Sequence, residues 1–130
     1  MMIDGVVPLL NVENIDRSIA FYTTALPFQL AQKTEAAGRP VWALLQAGPV
    51  KLMLNRPDHA DSTARRRRPS YGDVVLYITV ASARDCHEKL RAKGIAAGDI
   101  SLEAYGMEEF LLRDPDGYEV AIASPMVRIA

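Results

Sequence analysis

Few side chains in this sequence bring chemistry of their own. There are two histidines, His59 and His87, and one cysteine, Cys86. No His-Glu-x-x-His stretch or cysteine pair gathers them at metal-binding spacing, and each histidine reads as a surface or packing residue. What remains is charge and aromatic surface set into apolar stretches. Lys51 and Glu119 stand in runs that otherwise alternate toward an interior, where a charge is costly unless paired or solvated. Either the two pair with each other, or Lys51 holds an anionic ligand group and a desolvated Glu119 serves as a base. Trp42, Phe110 and Tyr105 offer flat faces on which a planar ligand could stack. Trp42 and Phe110 read equally well as core, whereas Tyr105, just before Gly106 at a strand entrance, reads as a rim residue. The run Arg65-Arg66-Arg67-Arg68, flanked by Asp58 and Asp61, is expected to be a solvated linker, with an acidic ligand or partner as the next reading.

The elements that must position these residues follow from periodicity. Val6 to Val12 is apolar enough for a buried strand, and Ile15, Ile19, Tyr22 and Leu26 then recur at helical spacing. Asn14 or Asp16 is placed to cap that helix, which should end near Leu26 before Pro27. Strands are expected at Phe28 to Lys33, Val41 to Gln46 and Val50 to Asn55, with turns at Gly38 and Ala47-Gly48-Pro49. After a polar stretch the order returns. A strand at Val74 to Val80 precedes a helix opened by Ser82, with capping-box spacing to Asp85, that runs to about Lys93 before Gly94. Strands at Gly106 to Arg113 and Tyr118 to Ala123 close the chain, with a weaker one near Ile95 to Ile100. The chain thus reads as two β-α-β-β-β modules, at about 1–55 and 74–130, joined by a linker at about 56–73 within one 130-residue domain.

A shift of 68 positions lays one module on the other without a gap. It brings Val7 onto Val75, Val12 onto Val80, Trp42 onto Phe110, Leu44 onto Leu112 and Leu52 onto Val120. Strand alternation then turns Val7, Leu9 and Asn11 to one face, with Lys51, Met53 and Asn55 beside them. In the second module Val75, Tyr77 and Thr79 share that face with Glu119, Ala121 and Ala123. An apolar wall with a few polar groups is the usual make-up of a small-molecule site.

Bulk properties exclude other classes. With 49% hydrophobic and 24% charged residues the chain is neither disordered nor fibrous, and a formal charge of -1 supplies no field for nucleic acid or an anionic membrane. No apolar run approaches the roughly 20 residues of a membrane helix, and no leader is legible. With a lone cysteine, a reducing cytoplasm is the expected setting.

Val7-Pro8-Leu9-Leu10-Asn11-Val12 with Arg17-Ser18-Ile19-Ala20-Phe21-Tyr22 resembles the first module of the vicinal-oxygen-chelate superfamily, which contains glyoxalases, bleomycin-resistance proteins and dioxygenases. Tyr105-Gly106-Met107-Glu108-Glu109-Phe110 and Arg113-Asp114-Pro115-Asp116-Gly117 resemble its last hairpin, closest to members named for bleomycin resistance. Pro27 departs from the family, which usually has Gly there.

The resemblance implies an α+β fold in which each module forms half of an open, barrel-like sheet around a cleft. It also implies a divalent metal held by one residue on the first and one on the last strand of each module. Those positions fall on Val7, Met53, Val75 and Ala121. Three lack any donor atom and the fourth is a thioether, a poor ligand for the metals this family uses. The expectation is therefore a protein without metal or other cofactor, commonly a homodimer in this family, that sequesters a planar drug or metabolite through Asn11, Trp42, Lys51, Met53, Tyr77, Tyr105, Phe110 and Glu119. The alternatives are a cofactor-free lyase or isomerase with Glu119 as base, a metal-dependent glyoxalase or dioxygenase relative if the ligand positions are misassigned, and a structural module with a filled cleft.

Overall fold

The computed structural model describes residues 1–57 and 71–126. His59 and the four arginines at 65–68 lie outside the described residues. The chain divides into two compact units, Met1–Arg67 and Arg68–Ala130. Each lays one helix on one face of a four-stranded sheet, so the α+β pairing of two modules is realised as two open sheets and not as a closed barrel.

The first unit runs β1 (Leu9–Asn11), α1 (Ile15–Ala25), β2 (Gln29–Ala36), β3 (Arg39–Ala47) and β4 (Val50–Asn55). Its sheet order is β1-β4-β3-β2, with β1 parallel to β4 and the other neighbours antiparallel. β1 is shorter than the expected run because Pro8 has no N–H for the ladder; its carbonyl still accepts from Met53 N at 2.9 Å. Asn14, rather than Asp16, caps α1, accepting from Arg17 N at 2.9 Å. The helix stops at Ala25 because Leu26 precedes Pro27 and is held extended, at φ -126 and ψ 163. Ile15, Ser18 and Tyr22 of α1 are buried, as are Leu10, Ala43, Leu45, Leu52 and Leu54 on the sheet face beneath it.

The second unit runs β5 (Tyr71–Thr79), α2 (Ala83–Ala92), β6 (Ser101–Leu102), β7 (Met107–Arg113) and β8 (Tyr118–Pro125), in sheet order β5-β8-β7-β6. Ser82 caps α2 by accepting from Asp85 N at 3.2 Å. Gly94, at φ 77, ends it and lets Ile95 N reach back to Leu90 O at 3.0 Å. The weak strand expected at 95–100 is a correction: strand pairing is confined to Ser101–Leu102. The preceding segment is tied to β7 by a single bond from Gly98 N to Leu111 O at 2.8 Å.

The two units repeat one plan, but not without a gap. A shift of 68 carries the pair Leu9 and Met53 onto the pair Tyr77 and Ala121, and both pairs are register partners. The same shift fails for the next strand, where Leu44 faces Met53 but Leu111, not Leu112, faces Ala121. Between the equivalent pairs Gln46–Lys51 and Arg113–Glu119 the first hairpin has four residues, Ala47 to Val50, and the second has five, Asp114 to Tyr118. The longer loop moves β7 by one residue, and a slip of one exchanges the faces of every side chain. Trp42 therefore corresponds to Glu109, and Phe110 to Ala43. Phe110 is 1% exposed and meets the His87 ring edge-on at 4.9 Å between centroids. It is core under α2 and not a stacking platform.

Candidate functional site

In each unit the face away from the helix keeps large apolar side chains in solvent. On the first sheet Asn11, Asn55 and Trp42 sit in one cross-strand row, Leu9, Met53 and Leu44 in the next, and Lys51 and Gln46 in a third. Leu9 is 48% exposed while Trp42, Leu44 and Met53 are half-buried. Asn55 Nδ2 donates to Asn11 Oδ1 at 3.0 Å, fixing both amides at one end of the apolar strip. Lys51 is exposed at the other end. Four of the expected ligand residues, Asn11, Trp42, Lys51 and Met53, thus share one face.

On the second sheet the rows are Val75, Glu119 and Arg113; Tyr77, Ala121 and Leu111; and Thr79, Ala123 and Glu109. Ala121 and Ala123 are buried even here, so they form a low floor between taller neighbours. Across that floor Tyr77 and Tyr105 converge on Glu109. Tyr105 donates to Glu109 Oε1 at 2.6 Å, and the same carboxylate acts on the Tyr77 phenol beside it. The second carboxylate oxygen, Oε2, is buried with no hydrogen-bond partner among the described residues.

The electrostatics follow from this geometry. The hydrogen bond to Glu109 holds the Tyr105 phenol far above its ordinary range, with desolvation adding to it. Tyr77 is also raised, by desolvation first and by the Glu109 carboxylate second. Both hydroxyls therefore remain donors at neutral pH.

Glu109 went unremarked as a site residue in the sequence, although a signal was there. The Asp114-Pro115-Asp116-Gly117 turn sets the hairpin pairing, which puts Glu109 opposite Ala123 and Phe110 opposite Ile122. The adjacent Glu108 shows the alternation: it turns to the helix side, where Arg84 Nε meets its Oε2 at 2.9 Å. One glutamate is thereby neutralised by a cation and the other accepts from a phenol.

Glu119 lines a hollow of about 490 Å³ with Gly98, Leu111 and Arg113. Lys51 belongs to the other unit. His87 accepts a packing role, its Nε2 2.8 Å from Gly98 O and its ring on Phe110.

A divalent cation is not suited by the residues at the family's ligand positions. Met53 stands beside Leu9 in register, and Ala121 beside Tyr77. Val7 and Val75 offer no lone pair. Among the described residues no cluster of three or more His, Cys, Asp or Glu gathers elsewhere to replace them.

The sequence profile described as Glyoxalase/Bleomycin resistance protein/Dioxygenase superfamily matches residues 3–122. Among solved structures the chain is similar to TnmS3, an antibiotic binding protein from Streptomyces sp. CB03234, with TM-score 0.73 and 17% identity over 97% of this chain and 99% of that one. It is similar to the bleomycin-binding protein from Streptomyces verticillus, solved with copper(II)-bleomycin, with TM-score 0.69 and 20% identity over 97% and 99%. It is also similar to a lactoylglutathione lyase from Agrobacterium tumefaciens, with TM-score 0.68 and 18% identity over 92% of each chain. Binders and an enzyme thus share this fold, and at these identities the likeness extends to the fold alone. No protein of curated function matches the chain. With a profile match spanning nearly its whole length and two β-α-β-β-β units in its fold, the chain belongs to the Glyoxalase/Bleomycin resistance protein/Dioxygenase superfamily.

Proposed function

We propose that this protein is a metal-independent binder of small, partly aromatic molecules, acting as a homodimer in the cytoplasm. The observation that carries the reading is the pair of open sheet faces, where apolar and aromatic side chains stay exposed around a few fixed polar groups. Catalysis in this superfamily through a chelated cation needs donor atoms that Val7, Met53, Val75 and Ala121 do not supply. Family relatives that bind bleomycin or another antibiotic lend support, since sequestration needs only a shaped face.

The test is direct titration of the full chain, followed by calorimetry and nitrogen–proton NMR, with bleomycin and a panel of planar aromatic metabolites. Saturable binding with shifts at Trp42, Leu44 and Tyr77 is expected, unchanged by a chelator. Binding that vanishes with chelator, or stoichiometric zinc, iron or manganese in protein purified without a nickel column, would overturn metal independence.

A second reading rests on Glu119, half-buried at the lip of the Leu111–Arg113 hollow. In that reading it is the base of a cofactor-free lyase or isomerase. Glu119→Gln separates the two, since a binder keeps most of its affinity and a base-dependent enzyme loses turnover.

A further inference from the structure

The hollow beside Glu119 has a fixed wall and an uncommitted rim. Gly98 holds the wall against β7: its N–H donates to Leu111 O at 2.8 Å, and its carbonyl accepts from His87 Nε2 at 2.8 Å. A Cβ at Gly98 would come 3.2 Å from Leu111 O, so the glycine sets how closely the segment approaches. Asp114 N bonds toward β8 at Tyr118 O, and alternation along an antiparallel strand therefore turns the backbone groups of Leu111 and Arg113 to the outer edge. There Arg113 meets no backbone partner among the described residues, so the edge parts from the 96–98 segment beyond the Gly98 bond. The hollow of about 490 Å³ occupies that opening, a volume within the usual range of small-molecule sites.

Its lining is apolar at Ala96, Ala97 and Leu111 and charged at Arg113 and Glu119. The charged pair stand opposite each other in register, yet no side-chain hydrogen bond or ion pair engages either among the described residues. Arg113 is exposed, and both oxygens of the half-buried Glu119 are open to solvent. Opposite charges one strand apart restrict the guest. A lone cation drawn to Glu119 is repelled by Arg113, and a lone anion meets the reverse. A head group that carries both charges on one carbon answers the two together, because neighbouring strands are close enough to span it.

We propose that Arg113 and Glu119 form a subsite for the zwitterionic head of an apolar α-amino acid. The guanidinium pairs with its carboxylate, the Glu119 carboxylate accepts from its ammonium, and its side chain lies in the hollow against Ala96, Ala97 and Leu111. This deepens the small-molecule-binding reading and rests on it.

Four probes built on one ring test it on the full chain by calorimetry and NMR at neutral pH: phenylalanine, phenethylamine, hydrocinnamate and phenethyl alcohol. Phenylalanine should bind about tenfold or more tightly than each of the others, as expected when a charge-assisted hydrogen bond is added. Arg113→Gln should erase its advantage over phenethylamine and keep its advantage over hydrocinnamate. Glu119→Gln should do the opposite, and hydrocinnamate should keep its affinity there, so that substitution still separates binding from turnover. Because Arg113 is exposed, its variant remains readable if Glu119→Gln does not fold. Equal affinities for all four probes, or a phenylalanine preference that survives both substitutions, would overturn the zwitterion subsite. Should none of the four bind while the aromatic panel does, the subsite falls and the binding reading stands; failure of the panel as well removes both.

Discussion

Adjacent residues in one strand divide the second unit's polar work. Glu108 turns under α2 to Arg84, and Glu109 turns outward to Tyr105 and Tyr77. Because the Glu109 carboxylate favours the neutral phenol, the folded-state value of Tyr105 lies above its ordinary 10.0. The sign follows from linkage: the bond contributes its full stability below the ordinary tyrosine value and loses it as pH rises through the raised one. In an alkaline titration read by phenolate absorbance, the Tyr105 step should fall above the ordinary tyrosine value of 10.0. Tyr105→Phe should remove that displaced step; a step at the ordinary tyrosine value lost instead would contradict the hydrogen bond.

At the scale of elements, each helix is held to its sheet by named contacts as well as apolar burial. The first backbone N–H of α2, at Ala83, has no partner within the helix and donates to Ser124 Oγ of β8 at 2.8 Å in a buried position. Ser124→Ala should therefore cost about 1–3 kcal/mol, the penalty of leaving a buried donor unmade. Urea unfolding should show a lower midpoint with an unchanged slope; an unaltered midpoint would mean that another acceptor replaces the serine. Phe110→Ala should cost more, about 3–5 kcal/mol, because it opens a cavity between α2 and β7. Were Phe110 a ligand platform instead, that substitution would spare stability and weaken binding. The outer strand β2 is exposed along its whole length and carries Lys33 and Glu35, charges that discourage strand addition at that edge.

For the molecule as a whole, Leu9 on the first sheet and Val75, Tyr77 and Leu111 on the second are large apolar side chains left in solvent, the kind of surface that a partner covers. Under the proposed homodimer, light scattering should report about 29 kDa, twice the 14.3 kDa chain, by two-fold pairing. A monomeric mass at micromolar concentration would count against it. No helix among the described residues is long and apolar enough to cross a membrane.

Local rules carried most of the architecture. The helix limits were legible because Asn14 and Ser82 cap, Pro27 forces its predecessor extended and Gly94 accepts positive φ, all effects that act within a few residues. The facing of Leu9, Asn11, Met53 and Tyr77 was legible as well, since alternation along a strand is intrinsic to the extended chain. What tertiary structure alone decided was register and convergence. The gapless repeat misplaced β7 by one residue, put Phe110 on the wrong face and hid Glu109, because pairing depends on how a hairpin loop closes and not on the composition of the strand. The meeting of Tyr77, Tyr105 and Glu109 joins residues from a strand, a turn and a second strand that is not its hydrogen-bonded neighbour. Only the packing of the sheet with its entering turn sets the Tyr105 hydroxyl on the Glu109 carboxylate.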